Sequence, residues 1–161
     1  MKRFSIINFL LFQACWALAA SFPVNAPFFM LTAFAIHFAL TPTRRADSLL
    51  LIIALLGVLI DQLLVTIKVL DIGQSTLPLW LILLWGHFTL CLNHSLSWLR
   101  TLKWPLQSVL GAIFGSFSYY MGLQVGAFNT FQSIEIFIFS YALVWAILLP
   151  LMLIYAQWTQ R

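Results

Sequence analysis

Asp61 is the residue best placed to do chemistry, because it stands in the apolar run Leu59-Ile60-Asp61-Gln62-Leu63. An acid in that setting costs about 3 kcal/mol to hold in lipid, so it turns inward and marks proton, ion or substrate handling. Tyr119 and His87 are the candidate hydrogen-bond partners, and a purely structural, hydrogen-bonded carboxyl is the competing reading. A second concentration of reactive types lies further on: Trp80, Trp85, His87, Cys91, Asn93, His94 and Trp98. His87 and His94 are seven residues apart and share a helix face to within about 20°, with Cys91 between them. That spacing suits a metal or a haem ligand. One helix supplies few ligands in a closed geometry, however, and no other cluster completes the set. No metal and no cofactor is therefore expected, and His94 with Asn93 stands as an acid–base or binding candidate. Asn8 and Gln13 interrupt the first apolar run, and Glu135 opens the last, where an acid usually serves the helix start. There is no Gly-x-Ser-x-Gly, no His-Glu-x-x-His and no phosphate-binding glycine loop.

The elements that position these residues are apolar throughout. Of 161 residues, 63% are hydrophobic and 7% charged, against about 25% charged in soluble domains. Mean hydropathy is +1.00. Such a chain cannot cover itself with polar groups, and its solvent is lipid. Six apolar runs predict an all-α, polytopic transmembrane helical bundle in a single domain, with spans at 4–22, 24–41, 48–67, 77–99, 105–122 and 134–158. The second run is short for a span of roughly 17–25 residues, which leaves a re-entrant alternative for the first two runs together. Lys2-Arg3, the apolar stretch and Ala17-Leu18-Ala19 resemble a cleavable signal, although Asn8 and Gln13 are poor for one, and retention is expected.

Charge gives the orientation. Lys2, Arg3, Arg44, Arg45, Arg100, Lys103 and Arg161 fall on one side of a six-span chain and only Lys68 on the other. The positive-inside rule then puts both termini in the cytoplasm. The net charge of +4 thus reads as topology, not as affinity for nucleic acid, and no nucleic-acid partner is expected. Helical rise places Asn8, His37, Asn93, His94 and Gln107 about 6–7 Å below the cytoplasmic ends, with Asp61 about 10 Å below Lys68 on the outer side. Tyr119, Tyr120 and Glu135 lie nearer the outer surface, and only Gln13 and His87 approach the middle. Two polar layers around an apolar waist result. Ser108, Gly111, Gly115, Ser118 and Gly122 form a small-residue strip suited to close helix packing or to a homodimer.

Several stretches resemble a bacterial membrane family known as domain of unknown function 2878. They are Asn8-Phe9-Leu10-Leu11-Phe12-Gln13, Pro78-Leu79-Trp80-Leu81, Leu84-Trp85, Leu92-Asn93-His94-Ser95-Leu96 with Trp98, and Ser118-Tyr119 with Gly122. The resemblance covers nearly the whole chain, Asp61 and Trp145…Pro150 included. It implies the bacterial inner membrane and no particular activity. The family pattern has apolar or hydroxyl residues where this chain has His87 and Cys91, which further weakens a metal reading of those two. Relatives occur beside lipid-modifying enzymes, which tilts expectation toward lipid. Three functions follow as expectations. One is service in membrane-lipid metabolism or stress response, as an enzyme or its accessory, with membrane lipids as partners. The second is a small transporter or channel using Asp61. The third is a structural subunit beside a membrane partner protein.

Overall fold

The computed structural model describes residues 2–161, apart from the side chain of Lys2. Six α-helices follow one another: α1 (Lys2–Ser21), α2 (Ala26–Leu40), α3 (Arg44–Thr66), α4 (Leu79–Cys91), α5 (Trp104–Gln124) and α6 (Ile134–Thr159). A 3-10 turn, Ser97–Thr101, lies between α4 and α5. Prolines open α2 and α5 within their first two residues, where the missing N–H costs nothing. The side chain of Ser133 caps α6 by accepting the Ile136 N–H.

Two helix ends are built alike. After α3, Lys68 adopts φ 61°. The Val69 N–H then reaches the Leu64 carbonyl at 2.9 Å and the Lys68 N–H that of Val65 at 3.1 Å. After α5, Gly126 adopts φ 75°, and Ala127 and Gly126 donate to Gly122 and Leu123 in the same register. Both are Schellman ends, which consume carbonyls that the helix leaves unpaired.

The helix boundaries depart from expectation in two places that matter. The fourth helix stops at Cys91, not near Leu99. The Cys91 carbonyl accepts from both His94 and Leu96, and Asn8 Oδ1 takes the Ser95 N–H and hydroxyl at 3.3 and 2.6 Å. Polar side chains have supplied the chain with a turn in place of further helix. This turn is tolerable in an apolar setting because Leu90 to His94 are all buried in protein. The third helix begins earlier than expected, at Arg44, which brings Asp47 into its first turn.

In the packing, α4 contacts α1, α2 and α3, while α6 contacts α5, α3 and the 3-10 turn. Glycines set the closest approaches. A Cβ on Gly57 would overlap the Trp85 ring, and one on Gly115 that of Trp145; at Gly111 it would strike the Trp145 carbonyl. Gly111 and Gly115 of the small-residue strip are thus used inside the chain, for α5 against α6. One end of the bundle carries Arg44, Arg45, Arg100 and Lys103 and is called here the basic end. At the far end Asp71 and Asn129 exchange backbone hydrogen bonds of 2.8 and 2.7 Å, clamping the α3–α4 loop to the α5–α6 loop.

Polarity is arranged inside out. Phe28, Leu59, Phe114 and Ile147 are more than 60% exposed, whereas Asp47 and Asp61 are fully buried. Three helical stretches, Arg3–Ser21, Arg44–Thr66 and Ile134–Thr159, are long and apolar enough to cross a membrane; α2 and α4 are shorter apolar helices.

Candidate functional site

The buried face of α3 repeats at helical spacing: Ala46, Asp47, Leu50, Ala54, Gly57, Asp61 and Leu64. It carries one acid near each end, and each acid organises a polar centre.

At the far end, the missing side chain of Gly57 lets the Trp85 indole lie against α3. Trp85 Nε1 donates to Asp61 Oδ2 at 2.7 Å. The Tyr119 hydroxyl donates to the same oxygen at 2.5 Å, and the Tyr141 hydroxyl to Oδ1 at 3.4 Å. The two phenol rings stack with centroids 3.8 Å apart. Three neutral donors from α4, α5 and α6 therefore converge on a carboxylate from α3. The expected pairing of Asp61 with Tyr119 is present. His87 is not there: its Nε2 lies 3.0 Å from the Met30 carbonyl of α2, and its ring stacks on Phe34 at 3.8 Å. Cys91 donates back to the His87 carbonyl at 3.4 Å. The His87-Cys91-His94 face thus never closes on one point.

At the basic end a different set closes. His37, one turn before the end of α2, Asp47, in the first turn of α3, and His94, in the turn after α4, bring their ligating atoms within 4.8 Å of one another. His37 Nε2 lies 3.2 Å, and His94 Nε2 2.9 Å, from Asp47 Oδ2. Thr41 also donates to Oδ2, Thr43 lies 3.3 Å from both carboxylate oxygens, and Asn93 Nδ2 donates to Oδ1 at 3.0 Å. Arg100 donates to Asn93 Oδ1 at 3.3 Å and to the Ala156 carbonyl of α6 at 3.4 Å. Phe4 of α1 closes edge-on over both imidazoles, with centroids 5.2 and 4.6 Å away. Asn93 and His94 were expected here; Asp47, Thr41, Thr43 and Arg100 were not. Asp47 carries one usable signal: its spacing of fourteen from Asp61 puts both acids on one face to within about 40°.

Asn8 is buried beside this centre as the acceptor for Ser95. Gln13 is exposed on α1, and Glu135 is exposed in the first turn of α6. A groove of about 530 Å³ runs between α1 and α5, floored by α4 and α6. Its walls include Phe9 and Trp98 toward the basic end, Gln13, Trp16 and Trp85 midway, and Gly122 and Phe128 toward the far end. Trp16 Nε1 bridges to Ser118 across it at 3.1 Å. Trp145, also in its wall, holds the one buried side-chain nitrogen or oxygen with no partner among the described residues.

An all-helical chain with an apolar exterior and two buried polar centres is a membrane-type helical protein. More narrowly, residues 5–151 match the family model described as protein of unknown function (DUF2878), and the chain belongs to that family. No curated protein and no solved structure matches it.

Proposed function

We propose that the protein is a six-span protein of the bacterial inner membrane, with both termini cytoplasmic, that holds a lipid chain in the α1–α5 groove and serves membrane-lipid metabolism. The groove is the observation that carries this reading. Its size falls within the roughly 300–1,000 Å³ of small-molecule sites, and its walls are overwhelmingly apolar. It extends from Trp98, beside the basic residues Arg100 and Lys103, to Phe128 near the far loops. A hydrocarbon chain fits such walls, and the arginine and lysine suit an anionic headgroup at the membrane surface. The charge distribution, seven basic residues against Lys68, supports the orientation.

A transport path gains less support. Between Asp47 and Asp61, about 21 Å apart by helical rise, the buried face of α3 offers only Leu50, Ala54 and Gly57. No polar step on α3 joins the two centres.

The test uses the full chain in bilayers containing a phospholipid with a photoactivatable diazirine on its acyl chain. Crosslinks are expected to concentrate on groove residues shielded from the surrounding lipid, such as Phe12, Trp16, Leu84 and Phe88. Ala20→Trp, which narrows the groove from α1, should remove them. Crosslinks spread evenly over the outward faces of α2, α3 and α6 would overturn the proposal.

A further inference from the structure

The geometry points to a second, independent site: a divalent transition-metal centre formed by His37, Asp47 and His94, of which zinc is the best-suited ion. It does not depend on what occupies the groove.

The first argument is one of hydrogen-bond capacity. An ionised carboxylate offers about four lone-pair positions, two on each oxygen. Yet five donors approach Asp47: Thr41 and His37 Nε2 reach Oδ2, Asn93 Nδ2 reaches Oδ1, and Thr43 and His94 Nε2 lie within reach of both oxygens. The two hydroxyls and the amide take three of the four positions. The two imidazole nitrogens are left to compete for the fourth. A cation between Oδ2 and the two nitrogens resolves the crowding, because each nitrogen then offers its lone pair instead of an N–H.

The second argument is distance. Four-coordinate zinc binds imidazole nitrogen and carboxylate oxygen at about 2.0–2.2 Å, so neighbouring ligand atoms lie about 3.3–3.5 Å apart. The observed separations of 3.2 and 2.9 Å need a few tenths of an ångström of outward movement, and the two imidazole nitrogens, within 4.8 Å of one another, must draw together. Two imidazoles and one carboxylate form a donor set suited to zinc and its first-row neighbours and poor for calcium or magnesium.

The surroundings resemble those of a metal site. The carboxylate is held by Thr41, Thr43 and Asn93, and Asn93 is itself held by Arg100. Such outer hydrogen bonds orient metal ligands and tune them. The three ligands are each no more than 8% exposed and come from three separate elements. Three protein ligands also leave one position of a tetrahedron for water or another small ligand, the arrangement of reactive zinc sites and not of closed structural ones. The Thr41 hydroxyl lies 3.4 Å from His94 Nε2.

The test takes the full chain, carrying no polyhistidine tag, stripped with chelator in detergent and then given Zn²⁺ or Co²⁺ alone. About one equivalent should bind, and Co²⁺ should give the intense visible bands of a four- or five-coordinate nitrogen–oxygen site. His37→Gln, Asp47→Asn and His94→Gln should each weaken binding at least 100-fold. Asn93→Ala, a change in the outer shell, should weaken it about tenfold. His87→Ala should leave it unchanged. Should the ligand variants fail to fold, the wild-type protein still decides. Less than about a tenth of an equivalent at micromolar free Zn²⁺, or a six-coordinate, water-like Co²⁺ spectrum, overturns the proposal. So does stoichiometric binding that survives all three ligand substitutions, or that is lost equally in His87→Ala.

Discussion

Asp61→Ala should destabilise the bundle by about 2–5 kcal/mol, and the value follows from the three donors it strands. Trp85 Nε1, Tyr119 Oη and Tyr141 Oη all point to one carboxylate from three different helices. Polar contacts between membrane helices average about 0.6 kcal/mol and reach about 1.7 kcal/mol. Three of them give the stated range. The upper half is favoured because an orphaned buried donor loses more than its bond. Asp61→Asn should cost less, about 1–2 kcal/mol, since its amide oxygen can still accept from Trp85 and Tyr119 while the Tyr141 hydroxyl accepts from its NH₂. The assay is equilibrium unfolding in mixed micelles, read by helicity, with Tyr119→Phe as the second arm of a double-mutant cycle. Tyr119→Phe alone removes the 2.5 Å bond and should cost about 1–1.7 kcal/mol. In the Asp61→Ala background it should cost close to nothing, because the stranded hydroxyl goes with it. A loss below about 1 kcal/mol for Asp61→Ala, or full additivity of the pair, would show that the three donors do not depend on this carboxylate.

Other outcomes can be checked with the same preparations. Lys68→Gly should stabilise the protein by about 0.5–1 kcal/mol in the same unfolding assay, because φ 61° suits glycine and Gly126 already fills the matching position after α5. Gly57→Leu should push the Trp85 ring off Asp61 and cost about 3 kcal/mol or more from overpacking and the lost bond; a fully stable variant would contradict the close α3–α4 contact. With cysteines placed singly in a background free of Cys15 and Cys91, a membrane-impermeant maleimide should label Gln74→Cys from outside intact cells and Lys103→Cys only after lysis. Labelling of both from one side would remove the six-span orientation. Breaking the Asp71–Asn129 clamp with Asn129→Pro should raise amide hydrogen exchange in both far-end loops, while exchange near His94 stays constant.

The helices were legible because composition leaves the chain few alternatives. Long apolar runs broken by Pro23, Pro42, Gly73 and Gly126 can only form helices joined by turns, and all six appear, the fourth ending early at Cys91 and the third starting early at Arg44. Asp61 with Tyr119 was legible too, since a short acid inside an apolar run must find a donor. What stayed hidden depended on tertiary partners. Nothing local says that Asn93-His94-Ser95 leave the helix. They do so because Asn8 from α1 takes Ser95 and Asp47 from α3 takes Asn93 and His94. The His87-Cys91-His94 periodicity suggested a ligand face only if that helix continued, and the break at Cys91 dissolves it.

Asp47 shows the limit most clearly. Just ahead of the expected helix start at Ser48 and beside Arg44-Arg45, it carries no local sign of burial in the sequence. Yet it is fully buried. The arginines are not its partners: Arg44 caps the Ala39 carbonyl at 3.1 Å and turns away. The carboxylate is left to two threonines, an asparagine and two histidines, none of which is a fixed cation. Burying an acid without a permanent positive charge is costly. With five donors on its two oxygens and no fixed cation among them, Asp47 has surroundings in which a metal ion held with the two imidazoles would supply the missing charge. Zinc stoichiometry and the ligand-field bands of cobalt report directly whether that ion binds.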